Sequence, residues 1–190
     1  MKIPLFKRAR LLAILVVFFN CILIQLAYSL ETDTSEISDL WRQAENLKNA
    51  GYYSKAIPIT KKVLGLQRKG AERSNANVAR TLDFLGELNY LAGRYREAEP
   101  LLEESLTIRE RIFGPDHLET AKSYIHLGIY YTLVWEHDKA KSFLKDAIII
   151  REKAYGPDHP DVAEALLNLS RMHLNTENRD EAETLLKQVL

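Results

Sequence analysis

The chain has 190 residues, enough for one domain of ordinary size, and its 26 basic and 26 acidic residues balance. The first 29 residues hold four basic groups (Lys2, Lys7, Arg8, Arg10) and no acidic ones, so the remainder is acidic by four. It therefore lacks the basic stripe of a nucleic-acid binder, and Cys21, the only cysteine, allows neither a disulfide framework nor a cysteine-built zinc site.

In chain order, the first feature is an address. Lys7, Arg8 and Arg10 precede the apolar run 11–27, which ends in Ala27-Tyr28-Ser29. A basic flank, an apolar stretch and small residues at both ends of the closing triplet predict a secretory signal cleaved after Ser29, with Ala27 and Ser29 as the recognised positions. The competing reading is an uncleaved membrane anchor, although Asn20 and Gln25 weaken so short an apolar run as a permanent span. A lipoprotein acylated at Cys21 would need smaller residues before it than Phe18-Phe19-Asn20. Both leading readings place the rest of the chain outside the cytoplasm, because the basic flank stays inside. Residues 30–35 read as a polar leader.

From about residue 36 the chain repeats itself every 42 residues. The segments IRERIFGPDHLETA (108–121) and IREKAYGPDHPDVA (150–163) are identical at eight of fourteen positions. The same shift superimposes Gly51–Ala56 on Gly93–Ala98, then on Trp135–Ala140 and Glu177–Ala182. Four repeats result, at about 37–78, 79–120, 121–162 and 163–190. Each reads as two amphipathic helices. In the second repeat Val78, Leu82, Leu85, Leu88 and Leu91 recur at helical spacing, a break falls at Ala92-Gly93-Arg94, and a partner helix runs through Ala98, Leu101, Leu102, Leu106, Ile112 and Phe113. Pro100 is expected in the first turn of that partner helix, where a missing N–H costs little. Gly114-Pro115 and Gly156-Pro157 close the second helices, and Asp158-His159-Pro160 offers caps and a proline for the next one.

Small residues hold fixed positions: Gly86, Gly128 and Ser170 in the first helices, Ala98, Ala140 and Ala182 in the second. Small side chains at facing positions let two helices approach closely. One pair cannot bury its apolar face alone, so several stack into a solenoid.

Leu82, Leu85, Gly86, Gly93, Tyr95, Ala98 and GPDH (114–117) carry a resemblance that recurs at Tyr124, Leu127, Gly128, Ala140 and GPDH (156–159), then at Leu166, Leu169, Ser170 and Ala182. The pattern resembles the tetratricopeptide family, in the 42-residue form with a Gly-Pro-Asp-His loop that is similar to the kinesin-light-chain type. The resemblance implies an all-α fold, a right-handed α-solenoid of about four helix-turn-helix repeats, acting as a non-catalytic scaffold without a cofactor. The departures are Ala44 in place of the glycine and Ala71–Asn77 in place of the Gly-Pro-Asp-His loop in repeat one, Trp135 and His137 in repeat three, and a fourth repeat that stops at Leu190. Leu185, Leu186, Val189 and Leu190 would leave an apolar end, open to self-association or a partner.

In this family the first helix of each repeat lines the concave face. Counted in register, that face takes Trp41 and Glu45; Arg80, Asp83, Phe84, Glu87 and Tyr90; Lys122, Ile125, His126 and Ile129; and Asn168, Arg171 and Leu174. The mixture suits an extended or helical peptide of a protein partner, with apolar side chains supplying energy and charges setting register. Trp41 and Tyr90 stand out as anchors, though either suits the core equally well, and Arg80, Lys122 and Arg171 as grips for a carboxylate.

No catalytic fingerprint occurs. The five histidines (His117, His126, His137, His159, His173) show no metal-ligand spacing, and His117 and His159, one period apart, point to a role in the turn. Asn168-Leu169-Ser170 matches a glycosylation acceptor but falls inside a predicted helix. The membrane enters only through the leading segment.

Overall fold

In the computed structural model, residues 34–69, 75–176 and 178–189 are described, together with the single position Phe19. Apart from Phe19, the leading apolar segment, with Ala27 and Ser29, lies outside them. Among the described residues no helix is long and apolar enough to cross a membrane.

Among the described residues eight helices follow one another with no strand between them: α1 (34–49), α2 (Tyr53–Lys69), α3 (Ala76–Leu91), α4 (Tyr95–Phe113), α5 (Leu118–Leu133), α6 (His137–Tyr155), α7 (Pro160–Asn175) and α8 (Arg179–Val189). The helices of α3/α4, α5/α6 and α7/α8 pair most closely, and each pair then stacks on its neighbour. In addition α5 touches both α3 and α7. The odd helices thus form the inner layer of the curve, and the array is an α-solenoid.

Local chemistry sets the breaks. The turns after α1 and α3 carry Gly51 and Gly93 at φ 78° and 75°, a left-handed conformation that glycine adopts without steric cost. The equivalent turn after α5 places Trp135 there instead, at φ 66°, and the residue is 68% exposed. The Gly-Pro-Asp-His loops end α4 and α6 as predicted, and their histidines cap the helices that follow. His117 Nδ1 accepts from the Glu119 amide at 3.1 Å, and His159 Nδ1 from the Asp161 amide at 3.2 Å. Each imidazole also stacks on the aromatic ring that closes the preceding helix, His117 on Phe113 and His159 on Tyr155. Pro160 stands at the first position of α7.

Pro100 corrects the expectation of a first-turn proline, and Pro58 stands at the same place one period earlier. Each is the sixth residue of its helix and removes an internal hydrogen bond to the carbonyl four residues back. Both prolines are exposed, as are Ser54 and Arg96, the residues whose carbonyls lose that partner.

The register of small residues is visible in the packing. Ala56, Ala98, Ala140 and Ala182 are fully buried. A Cβ built on Gly86 would stand 2.5 Å from Leu102 Cδ2, and one on Gly128 2.5 Å from Leu144 Cγ. These leucines are fully buried because glycine leaves them room. In the last pair the glycine is replaced by Ser170, whose hydroxyl donates to the Ala182 carbonyl at 3.2 Å. The equivalent leucine, Leu186, is 36% exposed. Ile112, read as part of the apolar face of α4, is exposed, and Arg109 is buried in its stead.

Candidate functional site

A groove of about 770 Å³ opens across the inner layer between α1, α3, α5 and α7. Eleven of the fourteen residues assigned to the concave face from the sequence line it: Trp41, Glu45, Arg80, Asp83, Phe84, Glu87, Tyr90, Lys122, Ile125, His126 and Ile129. Asn168 and Arg171 do not. The Asn168 amide donates to the Glu164 carbonyl at 3.0 Å, along its own helix, and Arg171 is exposed outside the groove, as is Leu174.

The helical period explains the set. Residues three and four apart on α3 and on α5 fall on one stripe, and that stripe faces inward because the opposite one is buried against α4 and α6. At the α1 end Trp41 packs on Phe84 with ring centroids 4.8 Å apart. Arg80 lies over the Trp41 ring at 4.8 Å and Lys48 over Phe84 at 5.2 Å. Trp41 is thus a half-buried groove wall. Tyr90 departs from the anchor expected of it. It is 6% exposed, and its phenol pKa is pushed far up, first by burial and then by Glu87 and Asp83.

The cations do not stand free. Arg80 lies 3.7 Å from Glu45, Lys48 2.6 Å from Glu87, and Lys122 pairs with Glu119. Burial by itself would raise the Glu119 carboxyl, but the Lys122 hydrogen bond and the charges of Lys122, Arg109 and His117 outweigh it, so its pKa falls below the ordinary value. Arg80 and Lys122 are therefore engaged by the chain's own carboxylates rather than offered to a ligand's.

Six lining residues escaped the sequence reading: Ala76, Asn77, Glu119 and Glu164 from the starts of the inner helices, and two that come from second helices. Arg109 of α4 and Arg151 of α6 reach between the inner helices to the groove floor. Arg109, 3% exposed, forms an ion pair with buried Asp83 and donates to Ser105 and Ser123. Ser105 in turn donates to the Ala79 carbonyl at 2.9 Å. Arg151 donates to the Asp161 carbonyl and pairs with Glu164 at 2.8 Å. The signal was present in the repeated Ile-Arg-Glu at 108–110 and 150–152. At the same position in repeat one Gln67 accepts from Thr81 at 2.8 Å.

The tetratricopeptide-repeat sequence profile matches residues 36–111, 77–148 and 136–190. The chain belongs to the tetratricopeptide-repeat family. Among solved structures with this architecture, a Podosopora anserina protein described as a kinesin light chain with nearly identical TPR-like repeats superposes with a TM-score of 0.71 at 21% identity, covering 80% of this chain and 72% of that one. BtubC (BKLC) of P. vanneervenii gives 0.68 at 19% identity, covering 77% and 59% respectively, and the apo form of RapI gives 0.66 at 17%, covering 83% and 42%. The chain thus spans 59% of the length of BtubC. No curated protein sequence gives a significant match. Tetratricopeptide repeats generally mediate protein–protein interaction. Among the described residues of this chain no cluster of three or more His, Cys, Asp or Glu side chains is placed to hold a metal ion.

Proposed function

We propose that this tetratricopeptide-repeat protein is an exported, non-catalytic adaptor that holds a peptide segment of a partner protein in the groove between its first helices. The observation that supports this most directly is the groove wall: Trp41, Phe84, Ile129 and His126 line it, all half-buried, on three different helices. Half-buried aromatic and aliphatic side chains in a concavity gain the remainder of their burial from a bound segment. Export rests on Lys7, Arg8 and Arg10 ahead of the apolar run 11–27, with cleavage after Ser29.

Two measurements test the two parts. The full-length chain, expressed in a host with a secretory pathway, is fractionated and its N-terminus sequenced. A mature chain beginning at Leu30 supports cleavage, an intact N-terminus in the membrane fraction supports the anchor, and an intact soluble cytoplasmic chain refutes export. The same chain and its Phe84→Glu and Ile129→Glu variants are then used to capture proteins of the exported fraction, with circular dichroism showing that each variant is folded. Identical capture by all three removes the groove from the reading. One observation favours a second reading, assembly through the last helix pair: Leu186 is 36% exposed where Leu102 and Leu144 are buried. A concentration-dependent dimer abolished by Leu186→Glu would carry it.

A further inference from the structure

The 42-residue register lets each junction between repeats be compared with the next. Between α4 and α6, over α5, two rings fill the space between the second helices. Phe143 of α6 stacks on Tyr131 of α5 with centroids 5.7 Å apart and planes 3° from parallel. The Tyr131 hydroxyl donates to Glu99 of α4 at 3.0 Å, and Lys139 of α6 lies over the Tyr131 ring at 4.8 Å.

Between α6 and α8 the same positions carry different residues. One period on, Tyr131 becomes His173 and Phe143 becomes Leu185, so both rings give way to smaller side chains. The charges invert as well: Glu99 and Glu103 become Lys141 and Lys145, and Lys139 becomes Glu181. The result is a cleft of about 320 Å³ between α6 and α8, with Leu169 and His173 of α7 at its floor and Leu185 in one wall. Leu169 and His173 are buried and Leu185 is half-buried, so the chain's own side chains do not fill the space that the two rings fill one repeat earlier. A cleft of this volume suits a small organic molecule.

The charges are spread unevenly along the cleft. Glu181 is committed: it lies 3.0 Å from Nδ1 of buried His173 and 3.9 Å from Lys141. Helices α6 and α8 hold the same place in successive repeats and run in the same direction. Lys145, one turn beyond Lys141, therefore stands level with Thr184 and Leu185, one turn beyond Glu181. Asp180 belongs with Glu181 at the opposite end. Lys145 has no carboxylate partner among the described residues, and it lines the cleft.

An apolar floor, the space of an aromatic ring and one uncommitted ammonium at the rim together specify a ligand. We infer that this cleft binds a small aromatic carboxylate, its ring in the place that Phe143 holds one repeat earlier and its carboxylate on Lys145. A neutral ring would leave Lys145 unused, and an amine would meet it as a like charge. The cleft lies between second helices and the groove across the first ones, so neither site depends on the other.

The test uses the full-length chain, purified in mild detergent, and three ligands that share one ring: phenylacetate, phenethyl alcohol and phenethylamine. Affinities are read by ligand-observed NMR titration, with a protein-free detergent sample subtracted, at low and high salt. Wild type, Lys145→Gln and Leu185→Phe are compared. Phenylacetate should bind about 3- to 5-fold more tightly than either of the others, the margin of one exposed ion pair. High salt should narrow that margin. Lys145→Gln should bring phenylacetate down to the level of the alcohol and leave the alcohol unchanged. Leu185→Phe supplies the ring from the chain itself, so it should abolish binding of all three and melt no lower than wild type, as a filled cavity does. Undiminished phenylacetate binding in Leu185→Phe would place the ligand elsewhere and overturn the inference. So would a Leu185→Phe chain that melts well below wild type, because the space then does not take a ring. Equal binding of the three ligands, unaffected by Lys145→Gln, would overturn the carboxylate assignment, and failure of all three to bind would overturn the site.

Discussion

Replacing a helical glycine by alanine ordinarily stabilises a protein, by about 0.5–1 kcal/mol, through helix propensity and the smaller entropy of the unfolded chain. This protein holds two helical glycines that should respond in opposite directions. Around Gly65 in α2 an added Cβ meets nothing within 4 Å, and the residue is exposed. At Gly86 in α3 the same Cβ lies 2.5 Å from Leu102 Cδ2 and 2.8 Å from Leu102 Cγ. Leu102 is 0% exposed, so it has no free space to turn into, and a contact at its branch carbon cannot be relieved by rotating a methyl group. Overpacking of this kind costs about 1–3 kcal/mol. Set against a propensity gain of about 1 kcal/mol, Gly86→Ala should lose about 1 kcal/mol net while Gly65→Ala gains slightly less than that. For a chain of this size the two variants should melt about 5 °C apart, on opposite sides of wild type. Circular dichroism melts and urea midpoints on the three proteins decide it. In Gly86→Ala/Leu102→Ala the new methyl partly fills the space vacated, so the double variant should lose less than the two single losses combined. If Gly86→Ala stabilises as Gly65→Ala does, the close approach of α3 to α4 is not fixed by that glycine and the packing argument fails.

Arg109→Met leaves Asp83 buried without its countercharge and should cost about 3–5 kcal/mol, while Arg109→Met/Asp83→Leu should recover most of that loss. Urea denaturation of both reads it, and an equal loss in single and double variants would mean the ion pair contributes nothing specific. His173 is buried on α7 with Nδ1 3.0 Å from Glu181 of α8. Burial, the largest influence, holds its pKa below the ordinary histidine value of about 6.5, and Lys141 and Lys145 add to this while Glu181 opposes it. The unfolded chain therefore takes up the proton first, and stability falls as pH drops from about 6.5 through the lower folded value. Melting temperatures taken from neutral pH down to about pH 5.5 should fall more steeply in wild type than in His173→Asn, and parallel slopes would contradict the assignment.

The glycines, alanines and leucines that recur every 42 residues were legible in the chain because each repeat solves the same packing problem. Their spacing told of paired helices, the Gly-Pro-Asp-His loops told of the joints, and counting along α3 and α5 told which stripe faces inward. Local physics governs those features: helical period, left-handed turns and caps. Tertiary structure alone decided the chemistry of that stripe. Asp83, Arg80 and Lys122 look like free groove charges in the sequence, but Arg109 and Glu45 meet the first two from other helices, and Glu119 meets Lys122 from one turn back on its own helix. Those partners stand 26, 35 and three residues away; the pairing of α3 with α4 brings Arg109 to Asp83, and the stacking of the first repeat on the second brings Glu45 to Arg80. The same stacking closed the cavity around Tyr90 and turned it from an exposed anchor into a buried wall. It carried Arg109 and Arg151 through from the second helices to the groove floor. A repeat pattern fixes which faces meet, but the partner a polar side chain finds there depends on the distance between helices, which only packing sets.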